Sequence, residues 1–398
     1  MTPIRLGLVA FGLMTSQAAL HIVRPMTSYR LLALGEGSTS IGIVTAAFAL
    51  APLFLALPLS RLATGRRTAI LGTVGSAIMV VGALGLALMA TTVQAVVASV
   101  VLGAGHIGLM LALQILITQE SPDESYDRNF GIFTAGASLG QLLGPIAGTA
   151  VLTAAGDARA GTSTAMFIAA AACLVTAFSS LALVRGGPRT EVSRSGTDGL
   201  GRGARDVLRH RGATSAIYVG LIVLAGIDIL TAYLPVLGEE TSIPPLVVGM
   251  LLSVRAAASI ASRLLIGRLV AWTSRALVLI VSTAVAALVM GVLPLMTETA
   301  LLVILMTVLG LTLGFGQPLT MSWLALLVPQ TLRGRALAVR LVGNRLGQVL
   351  APTAAAGVSG VVGSRAVFWM LSLLLATATV VTTVSRRGDP PVAEEATP

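Results

Sequence analysis

Twelve long apolar stretches constrain what this chain can fold into more than any other feature. A helix needs about 20 apolar residues to cross a bilayer, and each stretch is long enough. They cover residues 5–25, 41–60, 69–90, 94–118, 130–154, 163–184, 214–237, 246–266, 276–296, 300–328, 337–360 and 365–385. Because the alternating pattern of barrel strands is missing, the stretches predict helices. We expect an all-α integral membrane protein with twelve transmembrane helices.

The overall composition agrees with a lipid environment. Hydrophobic residues make up 55% of the chain and charged residues only 11%, whereas soluble domains contain about 25% charged residues. The single cysteine, Cys173, lies in an apolar stretch and has no partner for a disulfide or a metal site.

The net charge of +10 comes entirely from arginines, since the chain has no lysine. If the loops alternate between the two sides, most arginines fall on one side. Only Arg24, Arg30, Arg159 and Arg365 fall on the other side, while Arg255 and Arg345 lie within spans. Short loops rich in arginine stay in the cytoplasm. We therefore expect a protein of the cell membrane with both termini cytoplasmic and, because the charge is spread over small loops, no nucleic-acid partner.

One long hydrophilic segment divides the chain into two halves of six spans. We predict a six-helix bundle at 1–185, a flexible cytoplasmic linker at 186–212, a second six-helix bundle at 213–387 and a cytoplasmic tail at 388–398. The halves resemble each other: "LPLSRLATGRR" follows the second span and "IGRLVAWTSR" follows the eighth. Such internal repeats are typical of transporters, whose substrate site lies between the halves.

A run of glycines marks the fifth span. Gly136, Gly140, Gly144 and Gly148 are four residues apart, with Pro145 beside the third. Residues four apart share a helix face, and small residues on that face let another helix approach closely in lipid. Pro145 removes a backbone hydrogen bond and bends the helix. Gly343 and Gly347 repeat the spacing in the eleventh span. We predict a tight, bent contact that serves as a hinge or seal.

These features resemble the major facilitator superfamily. The glycine–proline run is similar to that family's antiporter motif, and Gly65, Arg66, Arg67 and Gly267 resemble parts of its cytoplasmic loop motifs. The resemblance implies a transporter that works by alternating access. It also implies export of a drug or metabolite in exchange for protons, with the proton gradient as energy source and no bound cofactor. We expect a monomer in contact with membrane lipid and a small-molecule substrate.

The chain also departs from the family pattern. Leu62 and Ala271 stand where the loop motifs carry aspartate, and Ser99 stands where the fourth helix often carries an arginine tied to proton coupling. These departures leave the coupling ion open.

Few ionisable residues occur inside the predicted spans, and such residues usually face a cavity. Asp228 is the one acidic residue there. Arg255 and His106 lie near the middle of their spans, Arg345 lies toward the cytoplasm, and Arg24 is predicted at the outer end of the first helix.

Helical spacing groups these residues into four polar stripes. The stripes are Gln17, His21 and Arg24; His106, Met110 and Gln114; Arg255, Ser259 and Ser262; and Arg340, Asn344 and Gln348. In the resembling family these helices line or flank the central path, so we expect the stripes to face the cavity. Gln141 and Tyr233 complete the predicted pathway.

Two hypotheses describe Asp228. In the first, it takes up and releases a proton as its access to Arg255 changes, because burial disfavours a charged carboxylate and a nearby arginine favours it. In the second, Asp228 and Arg255 form a permanent ion pair. His21 is a rival proton site. On the outer side, Arg24 and Arg30 either attract anionic substrates or extend to lipid phosphates.

Other functions fit the sequence less well. "GASLG" at 136–140 has the spacing of a nucleophilic serine motif, but that motif needs a turn between a strand and a helix. No histidine or cysteine cluster suggests a metal site. We therefore expect no enzyme activity. The alternative that remains is an importer, by symport or uniport, of a metabolite such as a sugar or an organic acid.

Overall fold

The computed structural model describes residues 1–63, 65–121, 125–184, 200–210, 212–329 and 332–386. Within these ranges the protein consists of helices and their connections. The helices are α1 (Pro3–Ala33), α2 (Ser38–Leu62), α3 (Arg66–Ala87), α4 (Thr92–Glu120), α5 (Tyr126–Ala155), α6 (Ala158–Val184), α7 (Leu200–Arg209), α8 (Ala213–Glu240), α9 (Pro245–Trp272), α10 (Arg275–Val292), α11 (Thr299–Leu327), α12 (Arg333–Val362) and α13 (Arg365–Arg386). A short 3-10 turn, Leu293–Leu295, extends α10.

Each of the twelve predicted spans coincides with one long helix, so the all-α membrane fold is confirmed. Among the described residues, eleven helices are long and apolar enough to cross a membrane. The twelfth long helix is α12, with 30 residues. Its arginines and amides make it less apolar than the others.

The first helix is longer than its apolar pattern predicts. The sequence suggested an end near residue 25, but α1 continues to Ala33 with Pro25 inside it. Thr2 caps its start by accepting a hydrogen bond from the backbone amide of Arg5. Arg24 therefore lies about two and a half turns before the helix end and not at its outer terminus.

The long helices form two groups in contact. In the first group α1 packs on α5 and α6, and α3 packs on α4 and α6. In the second group α8 packs on α12, α9 on α11, and α10 on α13. The groups meet where α5 contacts α9 and α2 contacts α12, with α1 beside α8. This arrangement places the polar residues of α1, α8 and α12 at the interface between the groups.

Part of the predicted flexible linker is helical. The helix α7 occupies Leu200–Arg209, and Val207 is completely buried against Ala213, Leu324 and Ala336. One apolar side chain therefore anchors this segment to the second group. The rest of the predicted linker, 186–199 and 211, and the predicted tail lie outside the described residues.

The two groups are joined at the end of the molecule that holds the turn between α1 and α2, here called the α1–α2 end. The Ser28 hydroxyl donates to the carbonyl of Ala232 at 2.8 Å, and the Tyr233 hydroxyl donates to the carbonyl of Ser38 at 3.0 Å. A Cβ added at Gly42 would lie less than 3.0 Å from the carbonyl oxygen of Pro352. The helices of the two groups therefore touch closely at this end.

Candidate functional site

Asp228 is the centre of a hydrogen-bonded network that connects the two groups. Its Oδ1 accepts from Nη1 of Arg24 at 2.5 Å, and its Oδ2 accepts from Nε2 of Gln348 at 2.5 Å. Only 8% of the Asp228 side chain and 22% of the Arg24 side chain are exposed. The carboxylate on α8 therefore binds α1 of the other group and α12 of its own group in a buried setting.

The predicted ion pair between Asp228 and Arg255 is wrong. Among the described residues, Arg255 has no carboxylate within 4.0 Å and makes no hydrogen bond through its side chain. Arg24 takes its place because α1 continues past Pro25, which puts the Arg24 guanidinium inside the bundle next to Asp228. Arg24 therefore does not lie at the outer end of α1, where it was expected either to attract anions or to extend to lipid phosphates.

Further side chains extend the network on both sides. Arg345 donates from Nη1 to Oε1 of Gln348 at 2.8 Å. The Arg24 guanidinium lies 5.1 Å from the ring centre of Phe48, a cation–π distance. The Phe48 ring lies 5.7 Å from the ring of His106, whose two nitrogens have no hydrogen-bond partner among the described residues.

A cavity adjoins this network. It lies between α1, α2, α4 and α8, toward the α1–α2 end. Its polar lining includes Arg24, Thr27, Ser28, Ser99, Asp228 and Gln348, and the rest is largely aliphatic with Phe48. An apolar cavity with a few convergent polar groups is typical of a site for a small organic molecule.

A second polar cluster lies inside the second group. Nη2 of Arg340 donates to two oxygens of Gln317, the backbone carbonyl at 2.9 Å and Oε1 at 2.7 Å. It also donates to the hydroxyl of Thr320 at 3.1 Å. Asn344 donates to the same Oε1 at 3.4 Å, and Gln317 donates to the carbonyl of Gly220 at 2.7 Å. The predicted stripe on α12 therefore divides, since Arg340 and Asn344 face α11 while Gln348 faces Asp228.

The glycine face of α5 lies directly on α1. A Cβ added at Gly136, Gly140 or Gly144 would lie less than 3.0 Å from backbone atoms of α1. At Gly148 it would lie 3.2 Å from a side-chain carbon of Ile22. Gly136, Gly140 and Gly144 thus leave no room for a side chain, because the α1 backbone occupies the space, whereas Gly148 is in tight contact with a side chain.

The opposite side of α5 reaches the second group. The hydroxyl of Ser253 on α9 donates to the carbonyl of Leu142 at 2.7 Å, and Arg263 donates to Ser138 at 3.1 Å. A Cβ added at Gly249 would lie 2.8 Å from the carbonyl oxygen of Pro145. The glycine–proline segment of α5 therefore contacts both groups.

The repeated glycines of α12 have a comparable environment. A Cβ at Gly343 or Gly347 would lie less than 3.0 Å from the side chains of Ile217 or Leu221 on α8. The contact between α12 and α8 in the second group thus corresponds to the contact between α5 and α1 in the first.

The other predicted stripes are only partly brought into the site. His21 hydrogen-bonds through Nδ1 to the carbonyl of Gln17 at 2.9 Å. A Cβ at Gly140 would lie 2.8 Å from that of Gln17, and one at Gly144 would lie 2.7 Å from that of His21. The Cβ atoms of Gln17 and His21 therefore lie at the contact between α1 and α5.

Ser259 and Ser262 face Gly314 of α11 instead of the cavity. Gln114 is exposed, and Gln141 is half-buried on α5. Tyr233 closes the α1–α2 end through its bond to Ser38.

The remaining predicted positions lie away from the network. Gly65 has φ +49°, which favours glycine, in the turn before α3, and Arg66 and Arg67 are exposed at the start of that helix. Gly267 has no neighbour within 4 Å of an added Cβ. Arg30 donates to the carbonyls of Met89, just beyond α3, and of Arg159, at the start of α6.

The sequence patterns did not identify three residues that belong to these polar networks or line the cavity. Gln348 was placed on a stripe but not chosen as a site residue, and Phe48 and Gln317 were not singled out. A glutamine inside an apolar span indicates a polar contact in the interior, because burying its amide group without a hydrogen-bond partner costs free energy. For Phe48 the sequence contains no comparable signal, since aromatic residues are common in membrane helices.

Comparisons with known proteins agree with this architecture. A family model described as Major Facilitator Superfamily matches residues 8–242 and again 216–398. No curated protein matches the chain.

Solved structures resemble it at low identity. A mutant of the nucleoside transporter NupG shares 14% identity with a TM-score of 0.79, covering 96% of this chain and 99% of that one. A bacterial homologue of the human lysosomal transporter Spinster, inward-facing and unoccupied, shares 15% with a TM-score of 0.71, covering 97% and 98%. A POT family transporter in complex with 5-aminolevulinic acid shares 16% with a TM-score of 0.73, covering 96% of each chain. At these identities the likeness concerns the fold.

Proposed function

Because the chain belongs to the Major Facilitator Superfamily, we propose that this multi-pass membrane transporter exports a small amphiphilic organic compound in exchange for protons. The family to which the chain belongs and the solved structures with a similar fold are transporters, which favours transport over catalysis. The observation that carries the proton-coupling part of the proposal is the Asp228 network, because its carboxylate joins α8 to α1 across the two groups.

Protonation of Asp228 gives this network two states. The charged carboxylate holds Arg24 and accepts from Gln348. A proton on Asp228 removes the charge that attracts Arg24, so the link between the groups weakens and they can move apart. Buried ionisable groups that pair across moving elements are a common basis of proton relays in membrane proteins.

The closed α1–α2 end supports a proposal for the direction of access. With both termini cytoplasmic, as the arginine distribution predicts, that end faces outward and the structure would receive solute from the cytoplasm. The glycine–proline segment of α5, in contact with both groups, would serve as the hinge. One chain contains both groups, so we propose that a monomer is functional.

A disulfide across the closed end tests alternating access. An added Cβ at Gly360 would lie 3.9 Å from the Cβ of Thr39, within the range of about 3.5–4.5 Å that a disulfide requires. In a Cys173→Ala background, we expect the Thr39→Cys/Gly360→Cys variant to lose transport on oxidation and to regain it on reduction. Solute flux in proteoliposomes is the measurement. Each single cysteine variant is the control, and full transport by the oxidised double variant would contradict alternating access at this end.

The direction of transport can be measured in vesicles with an imposed pH gradient. We expect solute to leave the cytoplasmic side when the outer side is acidic, and we expect this movement to vanish with a protonophore. The solute would first be found by comparing accumulation of chemically varied compounds in cells with and without the protein. Accumulation on the cytoplasmic side, driven by the same gradient, would indicate import instead.

Import by proton symport is the second candidate, and a specific observation favours it. Arg24 pairs with Asp228, and Arg345 reaches it through Gln348. The charge of Arg255 also interacts with this carboxylate. An anionic solute bound among these arginines would favour the protonated form of Asp228. Proton and solute would then bind together, as symport requires, so a solute affinity that rises with acidity would support this candidate over exchange.

A further inference from the structure

We propose that the transported compound carries a carboxylate or phosphate group and that Arg255 binds this group between the two helix groups. The inference rests on the proposed function only in placing the solute in the central region of the protein. It does not depend on the direction of transport or on the coupling ion.

Arg255 is a buried cation without a partner. Only 3% of the residue is exposed, and its Nε lacks any hydrogen-bond acceptor among the described residues. Burying an unpaired charge costs several kcal/mol in membrane interiors. A side chain that stays charged and unpaired in this setting is therefore suited to a ligand that arrives from outside the protein.

The surroundings of Arg255 place it next to the Asp228 network. It lies on α9, which contacts α5 of the first group through the Ser253 hydroxyl and the carbonyl of Leu142. Its charge interacts with those of Asp228 and Arg24. Arg255 is therefore buried beside the interface between the groups.

Asp228 compensates this charge only in part. Both of its oxygens already accept short hydrogen bonds, from Arg24 and from Gln348. Three guanidinium groups, those of Arg24, Arg255 and Arg345, share this one carboxylate. The central region thus has an excess of positive charge, which an anionic ligand would neutralise.

The chemistry of the side chains defines the ligand class. The guanidinium fork of arginine matches carboxylate and phosphate oxygens, often with two parallel hydrogen bonds. The nearby cavity is largely aliphatic, with the Phe48 ring on one wall. The expected ligand is therefore an organic acid with an apolar body and not an organic cation.

A matched set of probes tests the charge preference. Phenylacetate, phenyl phosphate, phenylacetamide and phenethylamine share one apolar ring and differ in charge. With the purified full-length protein in lipid nanodiscs at neutral pH, we expect only the two acids, at millimolar concentration, to raise the midpoint of thermal unfolding. Equal or greater stabilisation by the amide or the amine, or no stabilisation by either acid, would overturn the proposal.

Substitution of Arg255 tests its role. We expect Arg255→Gln to remove the stabilisation by the acids and to raise the midpoint of the unliganded protein by about 2–4 °C, because an unpaired buried charge is gone. Arg255→Lys, which keeps the charge without the fork, should retain a weaker preference for acids. Arg268→Gln, on the exposed part of the same helix, should behave like the wild type.

The outcomes separate this inference from the proposed function. If Arg255→Gln lowers the midpoint of the unliganded protein, Arg255 has a structural partner and the inference fails, even where proton-coupled transport persists. If the acids bind in nanodiscs through Arg255 but sealed vesicles move neither protons nor acids, the anion site at Arg255 stands, whereas its role in transport and the proposed function fail.

Discussion

Replacing Asp228 by asparagine is expected to abolish proton-driven transport without preventing insertion of the protein. Asparagine has nearly the same shape but cannot exchange a proton, and it cannot neutralise Arg24. Its amide would also direct a donor toward either Arg24 or Gln348, which are both donors in the structure. Solute flux and internal pH in proteoliposomes, measured together under an imposed pH gradient, provide the test, and we expect both signals to fall to those of protein-free vesicles.

Glu36→Gln is a suitable control for this experiment, because Glu36 accepts from Ser40 at the start of α2, away from the Asp228 network. The Arg24→Gln/Asp228→Asn double variant provides a second comparison. Removing one partner of a buried pair costs about 3–5 kcal/mol because the other charge is left uncompensated. The double variant should therefore be less destabilised than the sum of the single variants, yet still inactive. Wild-type proton-coupled flux in Asp228→Asn would reject Asp228 as the proton carrier.

Replacing Gly140 by leucine is expected to produce the second large effect. A Cβ at this position would lie 2.7 Å from the backbone nitrogen of Ala18 on α1. Backbone atoms in a packed helix cannot give way as a flexible side chain can, so α1 and α5 must separate. Extra carbon atoms in a packed interior cost about 1–3 kcal/mol, and sometimes more. We expect a lower thermal unfolding midpoint in nanodiscs and little or no transport.

Gly131→Leu is the matched control, because it lies on the same helix and no atom lies within 4 Å of an added Cβ there. We expect it to keep the stability and transport of the wild type. A similar loss in both variants would mean that leucine disturbs α5 in general. Retained stability and transport in Gly140→Leu would remove the close α1–α5 contact from the explanation of function.

Much of the architecture can be predicted from the sequence, because the bilayer restricts the possible structures. Twelve apolar stretches with no strand pattern leave helices as the available solution in lipid, and each stretch does form one helix. The spacing of Gly136, Gly140 and Gly144 predicts a face without side chains, and this face lies against α1 in the structure. The sequence was less reliable at helix ends. The apolar stretch suggested a terminus near residue 25, but α1 continues past Pro25, since a proline inside a membrane helix can be accommodated when neighbouring groups satisfy the backbone.

The partners inside the site were decided by the tertiary structure alone. Helical periodicity places Asp228, Arg24 and Arg255 on faces of their own helices, but it contains no information on how each helix is rotated toward its neighbours. The sequence suggested Arg255 as the partner of Asp228, and only the packing of α1 against α8 selected Arg24. The sequence by itself determined the number of spans, the glycine faces and the few buried charges, because these follow from local spacing and from the solvent. Which charges meet, and which one remains unpaired, depends on contacts between residues about 200 positions apart, and no local pattern records such contacts.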